Sequence, residues 1–453
     1  MTLVDDVADH PVADRLVADG FQVVLGEAPA DVLSRQGADL IVPSPGVPQS
    51  APVLQAAAAA QLSVWSEPEL GLRLYPHRLV GITGTNGKTS TTELVAAMLA
   101  ADGVSVVACG NIGRPVSEAA MAEPRDTVLV AELSSFQLRF VRRLRPEVGV
   151  LLNLAEDHLD WHGDLSSYGA AKARLWSAQT ADDWAVANAD DPQTLALQAD
   201  APGRRASFSG LQPVGLGVGR EGEDLVGTAA DGRRDLVIAV ADLRSSAPHH
   251  VANVAAAATA ASLWGVSHAA VRAVAADFTP GRHRLEVVAS GGGVDFVDDS
   301  KATNPHATAA ALRAFPSVVW IAGGLAKGVD LGVLLAHLTS VRAAVLIGQA
   351  APELAALCED AGIPASTCPS IEAAVAQAAT VARSGDTVLL SPACASFDQF
   401  RDYAERGDRF AASARALVGG EDPRGEVANA NRPADPDRAD ETSTDQAGET
   451  HVA

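Results

Sequence analysis

Gly81-Ile-Thr-Gly-Thr-Asn-Gly-Lys-Thr-Ser90 decides how the rest of the chain is read. An apolar run at 79–83 leads into it and a helix-forming run at 88–101 leaves it, so strand, tight loop and helix follow one another. Gly84 and Gly87 let the backbone close around an anion, with N–H groups and the helix N-terminus turned toward phosphate oxygens. Lys88 is placed to reach a transferred phosphate, and the Thr89 hydroxyl to ligate Mg²⁺. The spacing Gly-x-x-Gly-Lys-Thr is shorter than the general phosphate-loop pattern, but its position between a strand and a helix separates it from an ordinary glycine turn.

Outward from the loop, short apolar runs alternate with longer helical patterns, the mark of parallel α/β units. Strands are expected at 79–83, 104–109, 127–132, 148–153, 184–188, 294–297, 318–322, 344–347 and 387–390, with Ala-rich helices such as 88–101 and 251–264 between them. Composition breaks near 72–76 and near 277–281 divide the chain into 1–74, 75–280 and 281–418. Residues 419–453 are rich in Pro, Asp, Glu and Thr; they lack the apolar surface to offset ordering entropy and are expected to be a disordered acidic tail. There is no repeat at a solenoid period.

The chain has 453 residues, room for two to four domains, and a net charge of −22 from 34 basic and 56 acidic residues. A general nucleic-acid binder needs a basic footprint, so that class is excluded. No apolar run approaches the roughly 18–20 residues of a spanning helix, so no transmembrane segment is expected. Asp5, Asp6 and Asp9 stand where a secretory signal would be basic. A cytoplasmic protein, acting as a monomer, is expected. Cys109, Cys358, Cys368 and Cys394 have no metal-ligand spacing and are expected to be free, largely buried thiols.

The segment 83–92 resembles the ATP loop of the Mur ligases and of their folylpolyglutamate synthase relatives. Further motifs follow in that family's order: Gly110-Asn-Ile-Gly113, Glu132-Leu-Ser-Ser-Phe-Gln137, Asn153-Leu-Ala-Glu-Asp-His158, Tyr168-Gly-Ala-Ala-Lys172 and His283-Arg284. Asp299-Ser-Lys-Ala-Thr-Asn304 and Leu390-Ser-Pro-Ala-Cys-Ala-Ser-Phe-Asp-Gln-Phe400 look like those of the D-glutamate-adding member. The resemblance spans 1–418. It implies a three-domain α/β architecture, with Rossmann-like first and third domains around a central phosphate-loop ATPase domain. It also implies an activity: ATP-dependent joining of D-glutamate to UDP-N-acetylmuramoyl-L-alanine through an acyl phosphate, a step of peptidoglycan precursor synthesis.

The resemblance further implies residue roles. Gly84, Thr85, Asn86, Gly87, Lys88, Thr89, Ser90, Asn253, Arg284 and Asp299 would hold ATP. Thr89, Glu132, His158 and Lys172 would hold Mg²⁺, Lys172 as a carbamate, since an ammonium beside the ions would be repelled. Lys88, His158, Lys172 and Lys301 would serve catalysis. Asn111, Ser134 and Gln137 would meet the muramoyl-alanine part, and Asp5, Ser44 and Gly46 the UDP. Thr303, Lys327, Ser396, Phe397 and Tyr403 would meet D-glutamate. Without the resemblance, Lys172 on its Ala-rich helix reads as a surface lysine, and Ser44-Pro-Gly46 as an ordinary turn.

The sequence departs from the family pattern in places. It opens at what reads as the second strand of the first domain, Thr2-Leu-Val-Asp-Asp6, without the preceding βα unit and its glycine turn. A start assigned too late, the preferred explanation, and a truncated chain both fit. His250 replaces a common Asn in His249-His-Val-Ala-Asn253, Ala326 a frequent Asp before Lys327, and Tyr403 a frequent Phe. Three other functions compete: a sibling ligase with a different amino acid or folate as substrate, a nucleotide binder without catalysis, and an NAD-dependent dehydrogenase. The last lacks Gly-x-Gly-x-x-Gly after a first strand.

Overall fold

The computed structural model describes residues 1–279, 281–326 and 328–419. Residues 420–453, expected to be disordered, lie outside the described residues, as does Lys327.

Nine strands form the central sheet. Val106–Gly110, Val128–Glu132, Leu79–Thr83, Val148–Leu151, Trp184–Asn188, Arg204–Phe208 and Gly217–Glu221 lie side by side in that order and run parallel. Asp224–Thr228 and Arg234–Ala239 extend it antiparallel. Leu79–Thr83 and Val128–Glu132 are buried at every residue, which is why they read as unbroken apolar runs rather than alternating ones. Leu94, Val95, Met98 and Leu99 of the helix Lys88–Ala101 cover one face together with the Ala-rich helix Pro248–Trp264. Leu138, Leu175 and Trp176 cover the other. The strand Leu79–Thr83 sits between Val128–Glu132 and Val148–Leu151, so its C-terminal end opens at a reversal of strand order, where open α/β sheets bind ligands.

A second sheet of six strands runs Glu286–Gly291, Val294–Asp298, Thr387–Leu390, Val318–Gly323, Val341–Ile347 and Ala365–Thr367. Its first two strands are antiparallel and the rest parallel. Separate apolar clusters cover its two faces, one around Trp320 and Leu334, the other around Phe296 and Phe410.

The first 74 residues carry two parallel pairs, Thr2–Asp5 with Gln22–Leu25 and Leu40–Ile41 with Ser63–Val64. No residue before Val32 is buried. This part is fastened by the helix Glu67–Leu74, where buried Glu69 accepts from the Arg143 and Leu144 N–H groups at 2.9 and 2.8 Å.

Some boundaries differ from the sequence reading. The strand expected at 104–109 begins at Val106, because the Val104 N–H turns back to the Leu99 carbonyl at 3.0 Å and closes the preceding helix. The strand expected at 148–153 stops at Leu151, since Asn153 belongs to the loop facing residue 86. The strand expected from 344 starts at Val341 and the helix expected from 251 at Pro248. All four cysteines are free; Cys109, Cys358 and Cys394 are buried and Cys368 half-buried. Among the described residues no helix is long and apolar enough to cross a membrane.

Candidate active site

The loop after Leu79–Thr83 keeps its shape through contacts that leave no room for a side chain at two positions. Gly87, at φ 82°, caps the helix Lys88–Ala101, and a Cβ there would collide with the Asn253 carboxamide. Gly84, at φ 155°, would drive a Cβ to 2.8 Å from that of Leu152. Asn153 clamps the loop's crest: its Oδ1 accepts from Asn86 N–H at 2.8 Å and its Nδ2 donates to the Asn86 carbonyl at 3.1 Å. Thr85 is anchored by Oγ1, which donates to the Ala155 carbonyl at 3.2 Å and meets the Tyr168 hydroxyl at 3.3 Å. Ser90 is buried one turn into the helix.

Two lysines converge on this loop. Lys88 Nζ donates to the carbonyls of Gly84 and Thr85 at 3.1 and 2.7 Å, and Lys172 Nζ donates to the same Gly84 carbonyl at 2.7 Å. Lys172 is only 1% exposed, with Nζ 4.4 Å from the centre of the Tyr168 ring. Burial, and then the neighbouring Lys88 charge, push the Lys172 pKa well below the ordinary lysine value. Burial likewise lowers that of Lys88, opposed by Glu132 and Asp157 and helped by Lys301 and Arg284. Glu132 ends its strand buried; its Oε2 accepts from Thr89 Oγ1 at 2.7 Å and its Oε1 from Asn111 Nδ2 at 2.9 Å. His158 adopts a left-handed backbone on the next loop, its ring edge-on to Phe136 at 4.8 Å and its Nε2 3.7 Å from Asp157.

The second sheet brings its own groups to the same place. Arg284 stands between His283 and Leu285, both at positive φ (63° and 49°), a backbone that costs non-glycine residues on the order of 1 kcal/mol each. Four bonds hold it. His283 Nδ1 meets Asp298 Oδ2 at 2.7 Å, His283 N–H donates to Glu286, Leu285 N–H to Asp299 Oδ1, and Lys301 N–H to the His283 carbonyl. Asp299 is buried and accepts from Ser391 Oγ at 2.9 Å; burial pushes its pKa up to about 8. Lys301 Nζ lies 3.7 Å over the Tyr403 ring.

The remaining expected residues are more dispersed. Asp5 accepts from the Val7 N–H within its own turn. Ser44 and Gly46 form a turn whose Val47 carbonyl accepts from Trp161 Nε1 at 3.3 Å, bringing it beside the central sheet. Ser134 and Gln137 close a capping box on the helix Ser135–Arg139. Thr303 N–H turns back to the Lys301 carbonyl, and Ser396 is buried where the Gln399 and Phe400 N–H groups meet its carbonyl. Phe397 is 61% exposed.

Two family models match this chain, the Mur ligase middle domain over 82–261 and the Mur ligase glutamate ligase domain over 283–394. Proteins named UDP-N-acetylmuramoylalanine–D-glutamate ligase are similar to it over about nine-tenths of its length. The one from Frankia casuarinae is 47% identical, covering 92% of this chain and 89% of its own. The one from Thermobifida fusca is 43% identical, covering 92% of each. The chain belongs to the Mur ligase family. Solved Mur ligases share the fold at low identity. A MurF ligase from Thermotoga maritima in complex with ADP has a TM-score of 0.58 at 18% identity, over 92% of this chain and 95% of that one. The UDP-N-acetylmuramate–alanine ligase from the same organism has 0.57 at 16%, over 92% and 99%.

In this Mur ligase the structure also singles out residues beyond those expected to touch ATP, Mg²⁺ or substrate. Asn153 and Asn304, whose motifs carry no stated role for them, act on Asn86: one clamps it and the other bonds to it across the two sheets at 3.2 Å. Asp157, which with Asp160 reads from the sequence either as a partner of the metal ligands or as a solvated loop charge, faces Lys88, Lys172 and Asn304 together. Arg406 carries no signal in the sequence. Fully buried, it donates to Ser300 Oγ and carbonyl at 2.9 Å and to the Cys394 carbonyl at 3.1 Å, tying the 299–301 loop to the 394–397 loop.

Proposed function

We propose that this Mur ligase uses ATP to join D-glutamate to UDP-N-acetylmuramoyl-L-alanine, giving ADP, phosphate and UDP-N-acetylmuramoyl-L-alanyl-D-glutamate. The observation that carries this is the meeting of Lys88, Lys172, Arg284 and Lys301 around one phosphate loop, in a chain up to 47% identical to ligases of that name. A carboxylate is a poor acyl donor, because its leaving group would be oxide. Transfer of the γ-phosphoryl group to the alanine carboxylate makes an acyl phosphate, which the D-glutamate amine attacks with loss of phosphate. Two anions must approach each other, and three cationic side chains at one loop, Lys88, Arg284 and Lys301, supply the opposing charge.

Three units are inferred, 1–74 for the UDP end, 75–280 for ATP and 281–418 for D-glutamate, supported by their separate sheets. Lys88 would reach the transferred phosphoryl group, Asn253 and Asp299 the nucleoside, and Arg284 the phosphates. Lys301, Thr303, Ser396, Phe397, Tyr403 and Lys327 would meet D-glutamate. The Thr89 hydroxyl and Glu132 carboxylate present hard oxygens 2.7 Å apart, a donor set that fits Mg²⁺. His158 would join them. Burial disfavours the charged form of the Lys172 amine, and the free amine is the form that adds to CO₂, which supports its conversion to a carbamate ligand. When bound, Mg²⁺ neutralises phosphate charge and polarises the transferred group. Action as a monomer in the cytoplasm, where ATP and UDP-sugar substrates are found, is part of the same proposal.

The test is phosphate release from ATP and Mg²⁺ with UDP-N-acetylmuramoyl-L-alanine, adding D-glutamate, L-glutamate or other amino acids in turn. Release that depends on D-glutamate is expected. Release with another amino acid would move the chain to a sibling activity, and ATP binding without release would leave a nucleotide binder.

A further inference from the structure

Across the contact between the two large sheets, hydrogen-bond chemistry fixes the protonation of one histidine that no role above uses. Asn304 caps the helix Pro305–Leu312, its Oδ1 accepting from Ala307 N–H at 2.9 Å. Its Nδ2 therefore points outward and donates to Asn86 Oδ1 at 3.2 Å and Asp157 Oδ2 at 3.3 Å. That sets the Asn86 carboxamide: with its oxygen accepting, its Nδ2 is the atom 3.0 Å from His306 Nδ1. An amide NH₂ only donates, so His306 Nδ1 must accept. A ring with a lone pair on Nδ1 is neutral and carries its proton on Nε2, while imidazolium has no acceptor at all.

We propose that His306 is a positioning residue that works as a proton-controlled latch: the neutral ring holds the helix Pro305–Leu312 on the phosphate loop, and protonation releases it. The inference rests on reading that loop as the nucleotide site. Release would loosen the placement of Lys301, which follows the strand Val294–Asp298, and of Arg284, which precedes Glu286–Gly291. The groups facing the ring favour the neutral form. Desolvation lowers its pKa below the ordinary histidine value, as do Arg313 at the end of its own helix and His337 beside Arg313, while Asp191, which caps the helix Pro192–Gln198, opposes them. The outer edge of the ring stays exposed, so bulk protons reach it directly.

The experiment compares the full chain with His306→Asn and His306→Ala by small-angle scattering in Mg-ADP, at about pH 7.5 and about pH 5. A shorter carboxamide still accepts from Asn86 but does not titrate. Expected is a radius of gyration that rises on acidification in the natural chain, stays low at both pH values in His306→Asn, and is high at both in His306→Ala. The apparent Kd for Mg-ADP should follow, weakening by about 2- to 10-fold wherever the latch is open. A natural chain that stays compact at the lower pH, or a His306→Asn variant that expands as the natural chain does, overturns the latch. Neither result depends on turnover. Absence of D-glutamate-dependent phosphate release would overturn the ligase reading alone.

Discussion

Every residue from 79 to 85 is buried, whereas none from 1 to 31 is. The two stretches belong to parts of the molecule that would each grip a nucleotide, ATP in one case and the UDP end of the acceptor in the other. Around the phosphate loop the backbone is fixed by Asn153, Tyr168, Leu152 and Asn253, so the anion site exists before any ligand arrives. In the first unit, the Asp5 carboxylate accepts from its own turn, and the strand pairs cover no core of their own before Val32. Preorganisation is therefore concentrated where phosphoryl transfer would occur. The UDP side must gain order from contacts such as the Val47–Trp161 bond.

The sharpest way to break this contrast is at Lys172, where a buried amine combines structural ease with chemical need. Lys172→Met keeps an unbranched side chain, one atom shorter, and removes a group whose burial already disfavours charge. The melting temperature should hold or rise, while kcat falls by about 100- to 1000-fold. A variant within tenfold of the natural kcat would make Lys172 a core residue and nothing more.

Glycines give the next largest effect. Gly87→Ala meets both a positive φ and the Asn253 carboxamide, so it should cost about 1–3 kcal/mol in a denaturant melt and weaken Mg-ADP binding. Gly46→Ala, with nothing within 4 Å of the new Cβ, should stay within about 0.5 kcal/mol. Equal losses at the two sites would erase the difference between a preformed loop and an open turn.

How far the sequence could foresee this depends on whether a residue's environment is local. Gly84, Gly87 and Lys88 punctuate the chain between a strand and a helix, and that pattern is local. Asn253 is expected at the nucleotide from its motif, and its contact with Gly87 appears only when the helix packs. Arg406 is invisible by the same logic: on a helix of Glu, Arg and Ala it reads as a surface charge, and only the junction of two distant loops buries it. Lys172 reads as exposed for that reason too. The antiparallel strands from Asp224 to Ala239 went unpredicted because their Gly, Asp and Arg content resembles a loop; sheet pairing overrides that preference. Ser134 and Gln137 show the reverse case. Their Ser-x-x-Gln spacing is a helix-start signature, and the structure uses it as one.

A smaller effect lies in the pH dependence of Asp299. Its folded pKa, raised to about 8, exceeds the ordinary carboxylate value of 3.8, so the folded chain binds the extra proton between the two. The contribution of this group to stability is then complete below about pH 4 and falls as pH rises toward about 8. Asp299→Asn cannot titrate. The melting temperature of the variant relative to the natural chain should therefore climb across that window and level off above it. A flat difference would mean that Arg284, which lowers the pKa, already holds the carboxylate ionised in the folded chain.

The smallest effect tests the loose side of the comparison. Asp5→Asn removes a charge from a carboxylate that accepts one exposed backbone N–H at 3.0 Å, and Asn can keep that bond. Thermal stability should change by less than about 0.5 kcal/mol, as for other surface substitutions. If Asp5 meets the uridine part of the acceptor, KM for UDP-N-acetylmuramoyl-L-alanine should still rise by about 3- to 10-fold, with KM for ATP unchanged, because a charged acceptor forms the stronger hydrogen bond. A rise in both constants would mean that the first unit and the phosphate loop are ordered together. No rise in either would remove Asp5 from the substrate and leave the turn at Ser44 and Gly46 to hold the UDP end.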